Sequence, residues 1–526
     1  MPPQPRKRWG NRASFRVLSA ALLFATVSAR PAEFYVAPEG KAAGSGAKMS
    51  PCDLGTALSG ALGKPGDTFW LRGGTHRIGH VDTQIHGAPA KPITFRQMPG
   101  ERARVVGSLT VWGEGGYLIF RDFELSSGDT NRLSKQTGMG FHPTDITNHS
   151  GVQSYAPNCS FLNLVVHDAV GSGFYTSSAA TNTVIYGCIV YNCGWACPDD
   201  AEGHSYYLQG PGELADNLGF NSTGASFHIY SSGSDGYLRN MTLDGNVGFG
   251  AGALQRVRKY RDWVVGVDAP GKPARKTNGF VPTNNVASHE VAEELSLPLM
   301  ATDISLKNNM GYLTENPTTL TQVQIGREQI NGRITLSSNY WPLGVVINNW
   351  RAASVTGNLF APRNSDYILD LQETLVTPKA TWDHNVYARS AGEDSFRINS
   401  KACDFSSWKA ITGWDAHSSC AARLSGLKVF VRPNRYEKGR AHITIYNWEK
   451  LGTVAVDVSC VLPVGAHYEV RNAQDFYAAP VVSGVFDGQP LHLPMTGLTV
   501  AAPLGPFLAP APTGPTFQVF VLLPVP

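Results

Sequence analysis

Asp199, Asp200, Glu202, His204 and Tyr207 fall within one turn and strand, and His228 and Tyr230 return about one repeat later. An imidazole can take a proton near neutral pH and a phenol can give one, each worth about 10²–10⁴-fold in rate when correctly placed. His204 or His228 with Tyr207 or Tyr230 is such a set. Asp200 and Glu202 could instead act as the acid and base of glycoside hydrolysis, which needs carboxyls ~5 or ~7–9 Å apart, or could hold Ca²⁺ through oxygen ligands. Plain structural roles compete with each of these. The tyrosines can form an aromatic ladder, the histidines can satisfy turn backbone, and acidic loop residues are usually just solvated.

A second feature lies just downstream. Between Gln255 and Lys276, seven cations (Arg256, Arg258, Lys259, Arg261, Lys272, Arg275, Lys276) face Asp262 and Asp268, a local charge of +5. Arg256, Arg258 and Lys259 are suited to carboxylate contacts, with Trp263 stacking on a sugar face. The competing reading is a solvated charge run. His142, His149, His167 and Asp168 form a secondary group whose spacing assigns no role. Cys188, Cys193 and Cys197 beside His204 match no strong zinc spacing, so no metal ligand set is assigned, and Ca²⁺ is the one cofactor considered.

Stacked short strands must position these groups. Of 28 Asn, 24 fall between Asn131 and Asn399, recurring after short apolar runs, as repeated strand and tight-turn units require. The leading apolar positions Phe161, Val184, Leu214 and Leu238 are 23, 30 and 24 residues apart. Second strands recur at Gly173-Phe174-Tyr175, Ser205-Tyr206-Tyr207 and His228-Ile229-Tyr230. That pattern predicts a solenoid, best fitted by a parallel β-helix, with Tyr207 stacking near Tyr230 and Ser205 near His228. Residues 252–302 read as an insertion on one side. Leu54, Ala57, Leu58, Ala61 and Leu62 have the spacing of a capping helix, which an open sheet edge needs. Residues 391–426 read as a connecting segment, and 427–526 as an antiparallel β-sandwich of alternating strands and Pro/Gly turns.

Composition bounds the class. Residues 1–29 have the layout of a secretory signal peptide: five cations, the apolar run Val17 to Ala25, then Val27-Ser28-Ala29. Removing them takes the formal charge from +3 to −2, so net charge gives no argument for nucleic acid or membrane binding. The low charged content of 16% and 55 Gly disfavour helical bundles. No apolar run is long enough for a membrane span. Export makes disulfides the expectation for the eight cysteines, with Cys403 and Cys420 a local pair.

Phe34-Tyr35-Val36-Ala37-Pro38-Glu39-Gly40, Pro65-Gly66-Asp67-Thr68-Phe69-Trp70-Leu71-Arg72-Gly73-Gly74-Thr75 and Lys91-Pro92-Ile93-Thr94-Phe95 resemble the opening of secreted proteins of the pectate-lyase-like superfamily. Gly203-His204-Ser205-Tyr206-Tyr207 resembles one of their rung motifs. The resemblance covers roughly 33–390 and implies a right-handed parallel β-helix. It specifies fold better than activity. Galacturonan-hydrolase motifs are not matched: Asp199-Asp200 directly precedes Gly203-His204-Ser205, and Arg256-Val257-Arg258-Lys259 is a distant echo. The resulting expectation is an exported monomer that binds an anionic, uronic-acid-containing polysaccharide and cleaves it by β-elimination. Hydrolysis through Asp200 and Glu202, or a non-catalytic binding scaffold, are the alternatives.

Overall fold

The computed structural model describes residues 30–525 except 114, 139–142, 232–237, 268–300, 315–319, 321, 328–330, 363–366, 373–379, 390–391 and 422. The expected leader therefore lies outside the described residues, as do His142, Asp268, Lys272, Arg275 and Lys276. Ala32–Pro526 forms one compact unit.

The fold is a parallel β-helix followed by an antiparallel β-sandwich. Each turn of the solenoid supplies up to three strands, as in Thr183–Tyr186, Ile189–Tyr191 and Tyr206–Leu208. Twelve strands from Glu33–Val36 to Thr381–Asp383 stack in parallel as the first sheet. A second ladder passes through Val165–His167, Ile189–Tyr191, Leu218–Phe220, Val247–Phe249 and Met310–Tyr312. A third passes through Val152–Ser154, Phe174–Thr176, Tyr206–Leu208, Phe227–Ser231, Trp263–Val267 and Gln322–Ile325.

The corner between the first and second strands is a single left-handed residue: Asn163, Gly187, Asp216, Gly245, Asn308, Ser338, Gly357 and His384 have φ between 51° and 70°. Most are Asn, Asp or Gly, the types that tolerate this conformation. From Asp216 onward, the next residue is a buried Asn. Asn217, Asn246, Asn309, Asn339, Asn358 and Asn385 form a ladder in which each backbone N–H donates to the next Oδ1 at 2.9–3.1 Å. This is why Asn is concentrated where it is. An apolar strand leaves its corner amide without a sheet partner, and a buried amide without one costs about 1–3 kcal/mol.

Side chains alternate in and out along each strand. Inward rings stack from rung to rung: Phe34, Phe69, Phe95, Phe120 and Phe161 lie 5.0, 4.7, 5.2 and 5.7 Å apart. Phe174, Tyr206, Phe227 and Trp263 continue the habit at 5.6, 4.9 and 4.2 Å. Trp263 is thus wholly buried in the core, which overturns its expected role of stacking on a sugar. Its strand, Trp263–Val267, is a rung in its own right, so the expected insertion does not begin at 252.

Both ends of the solenoid are closed. The first helix, Leu54–Leu58, is shorter than the apolar spacing suggests; Asp53 caps it, accepting from the Thr56 N–H at 2.7 Å. At the far end, Phe396–Ile398 pairs with Leu369–Gln372 and Ser419–Ala421 with Val386–Ala388. Between them, helix Phe405–Thr412 buries Phe405 and Trp408. The stack therefore extends into the segment expected to be a connector. All eight cysteines are free thiols, Cys403 and Cys420 included. Burial pushes Cys188 and Cys193 up to about 12, consistent with neutral thiols packed in the core.

The sandwich has a five-stranded sheet, Leu427–Pro433, Ala441–Asn447, Phe517–Pro524, His467–Asn472 and Val482–Val485, and a strand pair, Thr453–Val456 with Leu491–Pro494. Tyr446, Phe517, Val519 and Val521 pack on Val165, Ile189, Leu218, Phe220 and Phe249, the outer face of the second ladder. Arg432 bridges Asp216 and Asp244, and Arg435 meets Glu213 at 2.6 Å. The sandwich thus covers the second ladder. Tyr175, Tyr207, His228 and Tyr230 on the outside of the third ladder stay partly exposed.

Candidate functional site

The third ladder sets the site's register. Tyr175 pairs with Tyr207 and Tyr207 with His228, a two-residue offset from the expected pairing of Tyr207 with Tyr230. The offset preserves the face, because side chains alternate with period two. Tyr207 stacks on His228 at 5.0 Å, His228 on Tyr230 at 4.6 Å, and Tyr207 lies 6.1 Å from Tyr230. Toward the N-terminus the aromatic row continues through Tyr175, Tyr155 and Trp112, at 5.4, 5.8 and 4.1 Å.

Two loops converge beside this row. The first carries the short hairpin Trp195–Ala196 with Ala201–Glu202. The second leads from Gly250 to the strand at Trp263, shaped by Gln255, whose side-chain oxygen accepts from the N–H groups of Val257 and Arg258 at 2.7 and 2.8 Å. This brings Arg258 Nη1 to 3.1 Å from Asp200 and 3.0 Å from Glu202. Tyr260 donates its hydroxyl to the Ala201 carbonyl at 2.6 Å and to Glu202 Oε2 at 2.9 Å. Tyr260 was not apparent from sequence, because the spacing of about 58 residues to Glu202 says nothing until the loop folds back.

His204 sits under these groups, 1% exposed. Its Nδ1 accepts from the Ala225 N–H at 2.8 Å, which assigns the ring proton to Nε2. Nε2 lies 2.8 Å from Glu202 Oε1 with the N–H off the line of the contact. The backbone presses against the ring: a Cβ at Gly224 would stand 2.5 Å from Nδ1. One ring nitrogen thus accepts from the backbone and the other faces Glu202. Burial disfavours ionised Glu202, but His204, then Arg258, and a hydrogen bond from Tyr260 outweigh it and bring its pKa down to about 2. Asp200 moves the other way, raised chiefly by burial.

His228 differs from His204. It is partly exposed, its Nδ1 is buried without a hydrogen-bond partner, and its pKa is held well below the ordinary range by burial, then by His204, Arg327 and Arg258. The imidazole is accordingly neutral at physiological pH. Arg327, from the turn after Gln322–Ile325, lies with its guanidinium 5.1 Å from the Tyr230 ring centre. No motif pointed to it. Behind the cluster, Asp262 is 2% exposed; it accepts from Ser226 and Ala251 at 2.8 Å, and burial lifts its pKa to about 7, so it does not belong to a solvated charge run.

Of the proposed cationic contacts, Arg258 is committed to Asp200 and Glu202, whereas Arg256 and Lys259 are exposed. The secondary group separates. His149 stacks on His80 at 4.1 Å, whereas His167, between Glu124 and Asp168 at 3.1 and 2.7 Å, lies on the second ladder beneath the sandwich. A cleft of about 430 Å³ lined by Tyr312, Arg389, Arg423 and Trp448 opens between solenoid and sandwich. None of the His228 cluster lines it. The chemistry-bearing residues lie on the outer face of the third ladder, which among the described residues the sandwich does not cover.

No protein-family model matches the chain, and no curated protein does. Among solved structures, it is similar to pectate lyase Pel9A, with 13% identity over 70% of this chain and 79% of that one, at a TM-score of 0.40. It is also similar to a mannuronic-acid-specific family 6 polysaccharide lyase from human gut microbiota, with 14% identity over 75% and 82% at 0.42. XylC in complex with xylose aligns over 93% of this chain and 100% of its own, with 8% identity at 0.38. These likenesses assign no residue role and no substrate. The solenoid rests on the strand registers above.

Proposed function

We propose that the protein is an exported polysaccharide lyase that binds a uronic-acid-containing polymer along the third ladder and cleaves it by β-elimination. The observation that carries this reading is His228: a neutral imidazole between two phenols, with a guanidinium reaching back to Tyr230 from two rungs further on, on the face the sandwich leaves open. His228 takes the proton from C5 of the uronate, the electron pair forms the C4=C5 double bond, and the C4–O bond breaks. Tyr207 or Tyr230 gives its proton to the departing oxygen. Arg327 supplies positive charge toward the substrate carboxylate, with Arg256 and Lys259 as outer contacts. Glu202, His204, Arg258 and Tyr260 hold the adjoining loops in place.

One observation favours a second reading. Asp200 and Glu202 share Arg258 Nη1, which puts the bonded oxygens within about 6 Å of each other, and their pKa values are driven in opposite directions. That is the pattern of a hydrolase acid and its anionic partner.

Digestion of a panel of anionic polysaccharides distinguishes the two. A lyase yields unsaturated ends absorbing in the ultraviolet, and His228→Ala lowers the rate by about 10²–10⁴-fold with its Tm nearly unchanged. Because the His228 pKa is lowered, the acid limb of the wild-type rate should fall below the ordinary histidine range. New reducing ends without the absorbance would establish hydrolysis, and binding without either product a scaffold. Full activity in His228→Ala would remove the base.

A further inference from the structure

We propose that Asp383, His384 and His417 form a binding site for a divalent transition metal, suited to Zn²⁺, at the C-terminal end of the solenoid. Among the described residues, these are the three His, Cys, Asp or Glu side chains whose donor atoms all lie within 4.8 Å of one another. Asp383 Oδ2 is 2.6 Å from His417 Nδ1 and 3.6 Å from His384 Nδ1. The other carboxylate oxygen, Oδ1, accepts from the backbone N–H groups of His384 at 2.8 Å and His417 at 2.7 Å. The carboxylate is therefore pinned by two amides, with Oδ2 turned toward both imidazoles.

The backbone delivers all three groups. Asp383 ends the last strand of the first sheet, and His384 takes the left-handed corner, φ 60°, that Asn308, Ser338 and Gly357 take in earlier rungs. Asn385, next in the chain, is locked in the asparagine ladder by donating from its side chain to the Val355 carbonyl at 2.9 Å. His417 comes from the capping segment, held on by Trp414 stacked on Trp382 at 4.9 Å and 3°, and by the Asp415 N–H donating to the Trp382 carbonyl at 2.8 Å. The imidazole side chains are 66% and 72% exposed, so an ion can reach them and the rings can turn.

Two imidazoles and one carboxylate favour Zn²⁺, Ni²⁺ or Cu²⁺ over Ca²⁺ or Mg²⁺, which prefer oxygen donors. Zn²⁺ bonds at about 2.0–2.2 Å set tetrahedral donor atoms ~3.3 Å apart, with water as the fourth ligand. The 3.6 Å pair is already near that separation. The 2.6 Å contact opens when the metal takes the place of the proton on His417 Nδ1, the ring then carrying its one proton on Nε2. Bound metal would cross-link the last corner of the stack to the segment that caps it. This site is independent of the His228 cluster.

Calorimetric titration of ZnCl₂ into the full chain tests the proposal, in a Cys460→Ser background because that thiol is exposed and could itself take metal. About one equivalent should bind and raise Tm, and both effects should disappear in His384→Ala/His417→Ala, whose Tm should no longer respond to ZnCl₂. His417→Gln is the milder second variant, expected to weaken binding at least about tenfold. Equal Zn²⁺ binding by parent and double variant, or none by the parent, would overturn the site.

Discussion

Replacing Glu202 by Gln removes one charge from the middle of the cluster at nearly constant volume, and the carboxylate's own titration sets the expected cost. Burial opposes the charge, His204 and Arg258 outweigh it, and the pKa falls from 4.5 to about 2. That displacement corresponds to roughly 3 kcal/mol of stability. It is an upper bound, because the substituted amide can still accept from Tyr260. A depressed folded-state pKa contributes stability that is complete above the unfolded value and lost as pH falls through the folded one. The window is therefore from pH 4.5 down to about 2. Urea denaturation of wild type and Glu202→Gln across that window should show a gap of up to roughly 3 kcal/mol near neutrality that closes toward the acid end. A gap absent near neutrality, or unchanged throughout, would refute the ion-pair account of Glu202. It would also restore Glu202 as a candidate proton donor, since a group titrating near 2 cannot hold a proton at neutral pH.

Two other expectations follow from burial. Trp263→Ala should cost about 3–5 kcal/mol, measured by denaturation, because the indole fills the stack above Phe227; a loss under about 1 kcal/mol would mean the ring is not in the core. Thiol titration without reductant should find eight reactive cysteines in denaturant and a single fast one, Cys460, in the native protein; a missing pair would reveal a disulfide.

The solenoid was readable from the chain because its signals are local. A left-handed corner needs Asn, Asp or Gly at one position, and the ladder needs Asn at the next, so Asp216-Asn217, Asn308-Asn309 and Gly357-Asn358 declare rungs without reference to distant residues. The alternation that turns Tyr206 inward and Tyr207 outward is equally local. Acidic, histidine and tyrosine candidates could be placed on one turn and strand for the same reason.

Tertiary structure decided what depends on the path between rungs. Turn lengths set Tyr207 against His228 instead of Tyr230. The fold-back after Gly250 made Arg258 a partner of Asp200 and Glu202 and brought in Tyr260, while the next strand turned Trp263 into the core. Stacking alone carried Arg327 to Tyr230 across nearly a hundred residues of chain. The sandwich selected which face stays open, because its apolar strands match the outer residues of the second ladder and not the polar, aromatic row of the third. Residue types and spacing determine the rungs and the stock of reactive groups. Which of those groups face solvent, and which are spent on one another, is a long-range property of packing.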